Sequence, residues 1–239
     1  MTLEGKNALV TGSTRGIGLA VAEALLREGA NLVVTSRRQK DIDEVVARLD
    51  SAGQGEVVGK ECDVRDADQV QDLIEFCIKK LGSLQILINN AGIGAFKSVE
   101  EMSLREWRDV IATNLDAVFF ACHFAVPKMR QNGGGFIINI SSLAGKNAFA
   151  NGAAYNASKF GLNGFSEALM QEVRHDDIRV AYIMPGSVGT SFNSITAKES
   201  PAWKLAPTDV ADVVMDTLKR HPRCLTSRIE MRPSKPPRK

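Results

Sequence analysis

The chain has 239 residues, 44% hydrophobic and 24% charged, with a formal net charge of +2; that supports a sizeable core, excludes a largely disordered chain and gives no basic stripe for nucleic acid. Four cysteines without a C-x-x-C pair argue against a disulfide or zinc framework, so no metal is expected and a reducing cytoplasm fits. The N-terminal "MTLEGKNALV" has no long apolar h-region, and no apolar run reaches the ~18 residues of a membrane span, so neither a signal peptide nor a membrane is expected.

The first strand candidate is "NALVT", Asn7–Thr11, followed at once by "TGSTRGIG", Thr11 to Gly18, and a helical pattern that closes near Gly29. Strand, glycine turn and helix in that order form the context of a dinucleotide-binding turn. Gly12 suits the tight turn, Gly16 lets backbone approach a pyrophosphate, and Gly18 lets the helix pack closely on the strand. With Ser13, Thr14, Arg15 and Ile17 they are expected to surround the phosphates, which the helix N-terminus attracts through its N–H groups and dipole.

The second strand candidate, "NLVVTS" (Asn31–Ser36), ends in Ser36, Arg37 and Arg38. A carboxylate at this point would bind a ribose 2′-hydroxyl, whereas arginine attracts a 2′-phosphate and can bond it twice. The charge therefore favours NADP(H) over NAD, with Arg15 able to reach the same phosphate.

Further strand candidates are "EVVGKEC" (Glu56–Cys62), "LQILIN" (Leu84–Asn89), "GFIINIS" (Gly135–Ser141), "IRVAYIM" (Ile178–Met184) and "LTSRIEM" (Leu225–Met231). Several strand candidates are nearly continuous in Val, Ile and Leu, which marks strands covered on both faces, while "LTSRIEM" is a weaker candidate. Between them, "DADQVQDLIEFCIKKLG" opens on Asp66 and Gln69 and closes at Gly82, while "SLREWRDVIATNL" opens on Ser103 and Glu106, a capping box. Pro127 is expected to bend the helix that follows. Residues 185–207 read as a loop or lid, and the basic, proline-rich 232–239 as a solvated tail, with subunit contact or anion binding as the alternative. Alternating strands and helices predict one α/β domain over 1–239, a doubly wound parallel sheet of about seven strands with helices on both faces.

In "YNASK", Tyr155 and Lys159 stand four residues apart, which puts them on one face of a helix. With "TGSTRGIG", "DV" (Asp63, Val64), "NNAG" (Asn89–Gly92), "TNL" with Asn114, "ISS" ending at Ser142 and "PGSVGT" (Pro185–Thr190), the chain resembles the short-chain dehydrogenase/reductase family. The resemblance implies a Rossmann-type fold and a catalytic set of Asn114, Ser142, Tyr155 and Lys159. It implies that Asp63 and Val64 hold the adenine, that Asn90, Ala91 and Gly92 lie at the strand end near the ribose, and that Val188 and Thr190, after Pro185 and Gly186, position the nicotinamide carboxamide. Tyr155 and Lys159 count in both the catalytic and the cofactor set, and Asn114 is implied to hold a proton-relaying water.

Hydride transfer to a carbonyl leaves charge on oxygen, which a positioned hydroxyl can quench. A tyrosine phenol titrates near 10, and a neighbouring ammonium is expected to lower that value. The chain is thus expected to be an NADP(H)-dependent oxidoreductase acting between a carbonyl and a secondary alcohol. Within the family it most resembles 3-oxoacyl-(acyl carrier protein) reductases and related ketoreductases, so a small or carrier-bound carbonyl, including a 3-oxoacyl thioester, is the expected substrate. Those enzymes usually end in a "DGG"-like turn that is absent here. The alternatives are an NAD-dependent sugar or polyol dehydrogenase and a dinucleotide sensor without turnover. The resemblance also implies a homodimer or homotetramer. The face with Phe119, Phe120, Phe124 and Met129 reads as core or subunit interface, and His123 as a packing residue.

Overall fold

A computed structural model describes residues 2–50, 55–190, 192 and 201–237. Seven strands are present: β1 Asn7–Val10, β2 Asn31–Ser36, β3 Val57–Glu61, β4 Ile86–Asn89, β5 Gly135–Ile140, β6 Ile178–Pro185 and β7 Arg228–Met231. They form one sheet in the order β3-β2-β1-β4-β5-β6-β7, and every neighbouring pair is parallel. Every strand candidate read from the sequence is found.

The helices are α1 Gly16–Arg27, α2 Gln39–Asp50, α3 Ala67–Leu81, α4 Leu104–Ile111, α5 Ala117–Gln131, α6 Ala153–Val173 and α7 Pro207–Lys219. The alternation of side chains along each strand feeds two cores. Ala8 and Val10 of β1 pack with α1, α2 and α7, whereas Leu9 between them packs with α3, α5 and α6. Parallel strands are saturated on both faces in this way, which explains their unbroken apolar runs.

The expected helix ends are realised chemically. The Asp66 carboxylate accepts from the Asp68 and Gln69 N–H groups, and Gly82 ends α3 in the left-handed region at φ 83°. Ser103 and Glu106 form a reciprocal capping box at the start of α4. The helix α5 runs on through Pro127 to Gln131, and residues Ala112–Asp116, "ATNLD", form a π-helical turn joining α4 to α5.

Together these segments make one helix, Leu104–Gln131, whose most apolar stretch has a mean hydropathy of 1.5. By length and composition it could cross a membrane, contrary to the expectation from the sequence. Half of that stretch is buried, and Val118, Cys122 and Met129 share a core with Leu73 and Ile74 of α3. Part of its apolar surface is thus spent on packing, while Phe119 remains exposed.

Candidate active site

The strand order reverses direction between β1 and β4, and at the carboxyl end of these strands opens a cleft of about 1320 Å³. Ligands of doubly wound sheets bind at this kind of switch point. The glycine turn forms one wall. Gly12 and Gly16 have φ of 64° and 57°, a region in which a Cβ is strained. A Cβ on Gly18 would lie 2.3 Å from the Gly12 carbonyl oxygen, so α1 meets β1 with no room for a methyl group. The Asn90 side-chain amide donates to the Thr11 and Gly12 carbonyls at 2.9 and 3.1 Å, fixing the turn to the end of β4.

Most of the residues expected to hold a cofactor line this cleft: Gly12, Thr14, Arg15, Gly16, Ile17, Ser36, Arg37, Arg38, Asp63, Val64, Asn90, Ala91, Gly92, Tyr155, Lys159, Pro185, Gly186, Val188 and Thr190. Two members of the glycine turn do not. Gly18 lies behind it as a packing position, and Ser13 is fully buried with its hydroxyl accepting from the Thr35 N–H at 2.8 Å. Ser13 ties the turn to β2 and turns away from the cleft.

The three arginines differ in their surroundings. The Arg38 guanidinium is held by Asp41 at 2.6 Å. Arg37 has no carboxylate partner within ion-pair distance among the described residues, although its charge helps hold Asp63 below the usual carboxylate range. The main cause of that lowering is the hydrogen bond from Arg65, whose guanidinium bridges Asp63 at 2.6 Å and Asp109 at 2.9 Å. Arg65 is a supporting residue that the sequence reading misses; only its place directly after the "DV" pair hints at it.

At the other end of the cleft, Lys159 is buried, with 4% exposure, and its ammonium donates to the Ile140 carbonyl at 2.9 Å. Burial pushes it down from 10.5 to about 8. Its Nζ is 5.9 Å from the centre of the Tyr155 ring. The expectation that this ammonium lowers the phenol is corrected here. Burial pushes Tyr155 upward, and the opposing influence is a hydrogen bond from Ser142. Desolvation of the phenolate outweighs the lowering by Ser142.

Ser142 also accepts from the Ala144 N–H at 3.1 Å, so its hydroxyl starts the short turn after β5. Asn114 is fully buried in the π turn. Its amide donates to the Ile93 carbonyl at 2.9 Å and to Ser158 Oγ at 3.0 Å, and accepts from the Ile93 N–H at 2.9 Å. With its side chain spent on these partners, Asn114 anchors the segment after β4 and stands behind the cleft wall.

Asn156 and Asn163 of α6 hold the loop that carries Ser142. Asn156 donates to the Ala144 carbonyl at 2.6 Å, and Asn163 donates to the Gly145 carbonyl at 3.0 Å while accepting from Ser141 Oγ at 2.6 Å. Ser142 and Tyr155 are therefore held in fixed relation by two amide clamps, again missed in the sequence.

The expected lid begins where β6 ends at Pro185 and stops where α7 starts at Pro207. Its two ends are stitched together by the Gly189 N–H to the Leu205 carbonyl at 2.8 Å and the Leu205 N–H to the Ser187 carbonyl at 3.0 Å. Residues 191 and 193–200 of the lid, like 238–239 of the tail, lie outside the described residues. The tail is exposed at Arg232 and at 234–237, as expected of a solvated end, while Arg232, Pro233 and Pro236 also border the cleft. The Gly186 N–H donates to the Met231 carbonyl at 2.8 Å, which draws the chain after β7 across the loop after β6.

A turn that admits phosphates by its backbone, arginines at the end of β2 and a tyrosine–lysine–serine group beyond them define a nucleotide-dependent oxidoreductase site on a Rossmann-type sheet. Residues 6–200 match the family model for short chain dehydrogenase. The chain belongs to the short-chain dehydrogenase/reductase family, whose members act on CH–OH and C=O groups. It is 35% identical over 222 residues to the ketoacyl reductase HetN of Nostoc sp., covering 91% of this chain and 77% of HetN. Among solved structures, an alcohol dehydrogenase from the archaeon Thermococcus sibiricus, complexed with 5-hydroxy-NADP, superposes with a TM-score of 0.91 at 26% identity, covering 98% of this chain and 99% of that one. A metagenomic short-chain oxidoreductase in complex with NADP gives a TM-score of 0.85 at 36% identity, covering 99% and 100%.

Proposed function

We propose that the chain, working as one domain, is an NADP(H)-dependent oxidoreductase that interconverts a ketone and a secondary alcohol, with Tyr155 as its proton donor. The reading is carried by one observation: Tyr155, Ser142 and Lys159 border the same cleft as Arg15, Arg37 and Arg38. The residues fit the cofactor. The left-handed Gly12 and Gly16 backbone suits phosphates, and Arg37, without a carboxylate partner among the described residues, offers its guanidinium to a 2′-phosphate. Two structural neighbours were solved with NADP or a derivative of it.

When bound, the cofactor supplies or accepts the hydride. The chain's own residues handle the proton. Tyr155, kept protonated by burial, donates to the carbonyl oxygen, and Ser142 adds a second hydrogen bond there. Lys159, about 8 in the cleft, is poised to refill the phenol near neutral pH. Asn114 holds the Ile93 segment against α6. Likeness to a ketoacyl reductase supports a 3-oxoacyl thioester as the finer reading.

We assign subunit pairing to the face where Phe119 and Phe160, 49% and 46% exposed, stand on α5 and α6, giving a homodimer or homotetramer. His123 stacks on Phe119 at 5.7 Å in the same patch, whereas Met129 belongs to the core. A cytoplasmic location, with neither nucleic acid nor membrane as partner, suits the modest charge and the unpaired cysteines.

The test is a panel of ketones and alcohols with NADPH and NADH. NADPH-dependent turnover of ketones is expected. A marked NADH preference would overturn the cofactor assignment, and tight NADPH binding with no turnover across the panel would favour a sensor.

A further inference from the structure

The substrate end of the cleft combines two kinds of surface. Around Tyr155 stand three phenyl rings. Phe96 lies 5.5 Å from the Tyr155 ring centre, Phe192 lies 5.9 Å from it, and Phe149 is 5.9 Å from Phe96. All three remain more than a third exposed, although rings of this size are usually buried. They line the cleft instead of filling the core, and so offer apolar surface beside the reacting hydroxyl.

The second surface is cationic and comes from the tail. Arg232 and Lys204 both line the cleft. Glu230 is shared by Lys146 at 2.6 Å, Arg232 at 2.8 Å and Arg228 at 3.7 Å, three cations on one carboxylate. Lys204 has no carboxylate partner among the described residues. Positive charge is therefore in excess where the cleft meets the tail, and the contact of Gly186 with Met231 keeps the tail there.

Resting on the oxidoreductase reading above, we propose that the substrate is an amphipathic ketone. Its apolar group beside the carbonyl packs among Phe96, Phe149 and Phe192, and a distal oxyanion, carboxylate or phosphate, binds Arg232 and Lys204. The exposed tail is then also a specificity element. Arginine can bond such an oxyanion twice, and lysine adds a point charge.

The experiment uses ketone pairs that differ in one group: an aryl keto acid against its methyl ester, and a keto phosphate monoester against its parent alcohol. Binding to the protein with NADP⁺ is followed by calorimetry, and kcat/KM is measured with NADPH at low and high salt. At low salt, the anionic member of at least one pair is expected to exceed its neutral twin about tenfold, and the pair with the larger ratio identifies the oxyanion. Arg232→Gln, and to a lesser degree Lys204→Gln, should remove that advantage while leaving the ester and alcohol unchanged. Equal values within both pairs, an advantage that survives both substitutions, or an equal loss for both members would overturn the assignment and leave the oxidoreductase reading intact. If NADPH binds and no ketone turns over, it is the oxidoreductase reading that falls.

Discussion

The two ends of the cleft are built on opposite principles. At the cofactor end the backbone carries the constraint: Gly12 and Gly16 hold positive φ, and Gly18 sits where a methyl group would strike the Gly12 carbonyl oxygen. At the substrate end side chains from distant segments converge, with Phe96 after β4, Phe149 before α6, Phe192 after β6 and Arg232 after β7. A ligand that every family member shares can be held by a local turn. A ligand that distinguishes members is met by loops and the chain end, where substitutions cost the fold little.

The largest effect expected from this contrast is at the cofactor end. Arg37→Asp should weaken NADPH binding about 100-fold, through a lost charged hydrogen bond and a new repulsion, and leave NADH binding nearly unchanged by calorimetry. Arg38→Ala should cost far less, because Asp41 already holds that guanidinium. Equal losses for the two cofactors would break the contrast between the arginines.

Next comes the buried ammonium. Lys159 titrates at 10.5 when unfolded and at about 8 in the cofactor-free fold. Between those values the unfolded chain binds a proton that the folded chain has released, so stability rises with pH across that window. Below pH 8 the penalty is fully present. Lys159→Met should therefore be more stable than the wild type at pH 7 by roughly 2–3 kcal/mol, with the gap closing towards pH 10.5. Urea unfolding over a pH series measures this, and a gap that does not change with pH would contradict it.

Gly18→Ala should destabilise the fold by about 1–3 kcal/mol and weaken both cofactors together, which thermal melting and calorimetry report. The smallest effect on stability belongs to the substrate end. Phe149→Ala, at a half-exposed ring, should shift stability by less than about 0.5 kcal/mol while lowering kcat/KM for apolar ketones. A large loss of stability there would erase the distinction between the two ends.

The same division decides what the sequence reveals. The central strands are legible because a sheet covered on both faces demands runs of Val, Ile and Leu, whereas β7, exposed or half-buried along its length, carries a weaker signal. The glycine turn is legible because only glycine meets its backbone angles and close contacts. Tyr155 and Lys159 are legible from their helical spacing. The Tyr155 electrostatics are not, because the sequence does not show the burial that raises the phenol. Arg65, Asn156 and Asn163 escape notice because their partners come from other elements, which spacing within one segment does not show. Ser13 sits within the motif, yet its hydroxyl bonds β2, an orientation that spacing cannot encode. The tail is exposed as its composition suggests, but its place at the cleft is not legible, because nothing local shows that Met231 will bond Gly186. The periodicity reading also leaves α2 and α7 unassigned.

The central claim is that Tyr155 gives the proton that accompanies hydride transfer. Its most direct test is NADPH oxidation by wild type and Tyr155→Phe with one turned-over ketone, alongside NADPH affinity for both. The account predicts unchanged affinity and a rate lower by a factor of about 10²–10⁴ in the variant. A variant that binds NADPH and oxidises it as fast as the wild type would contradict it.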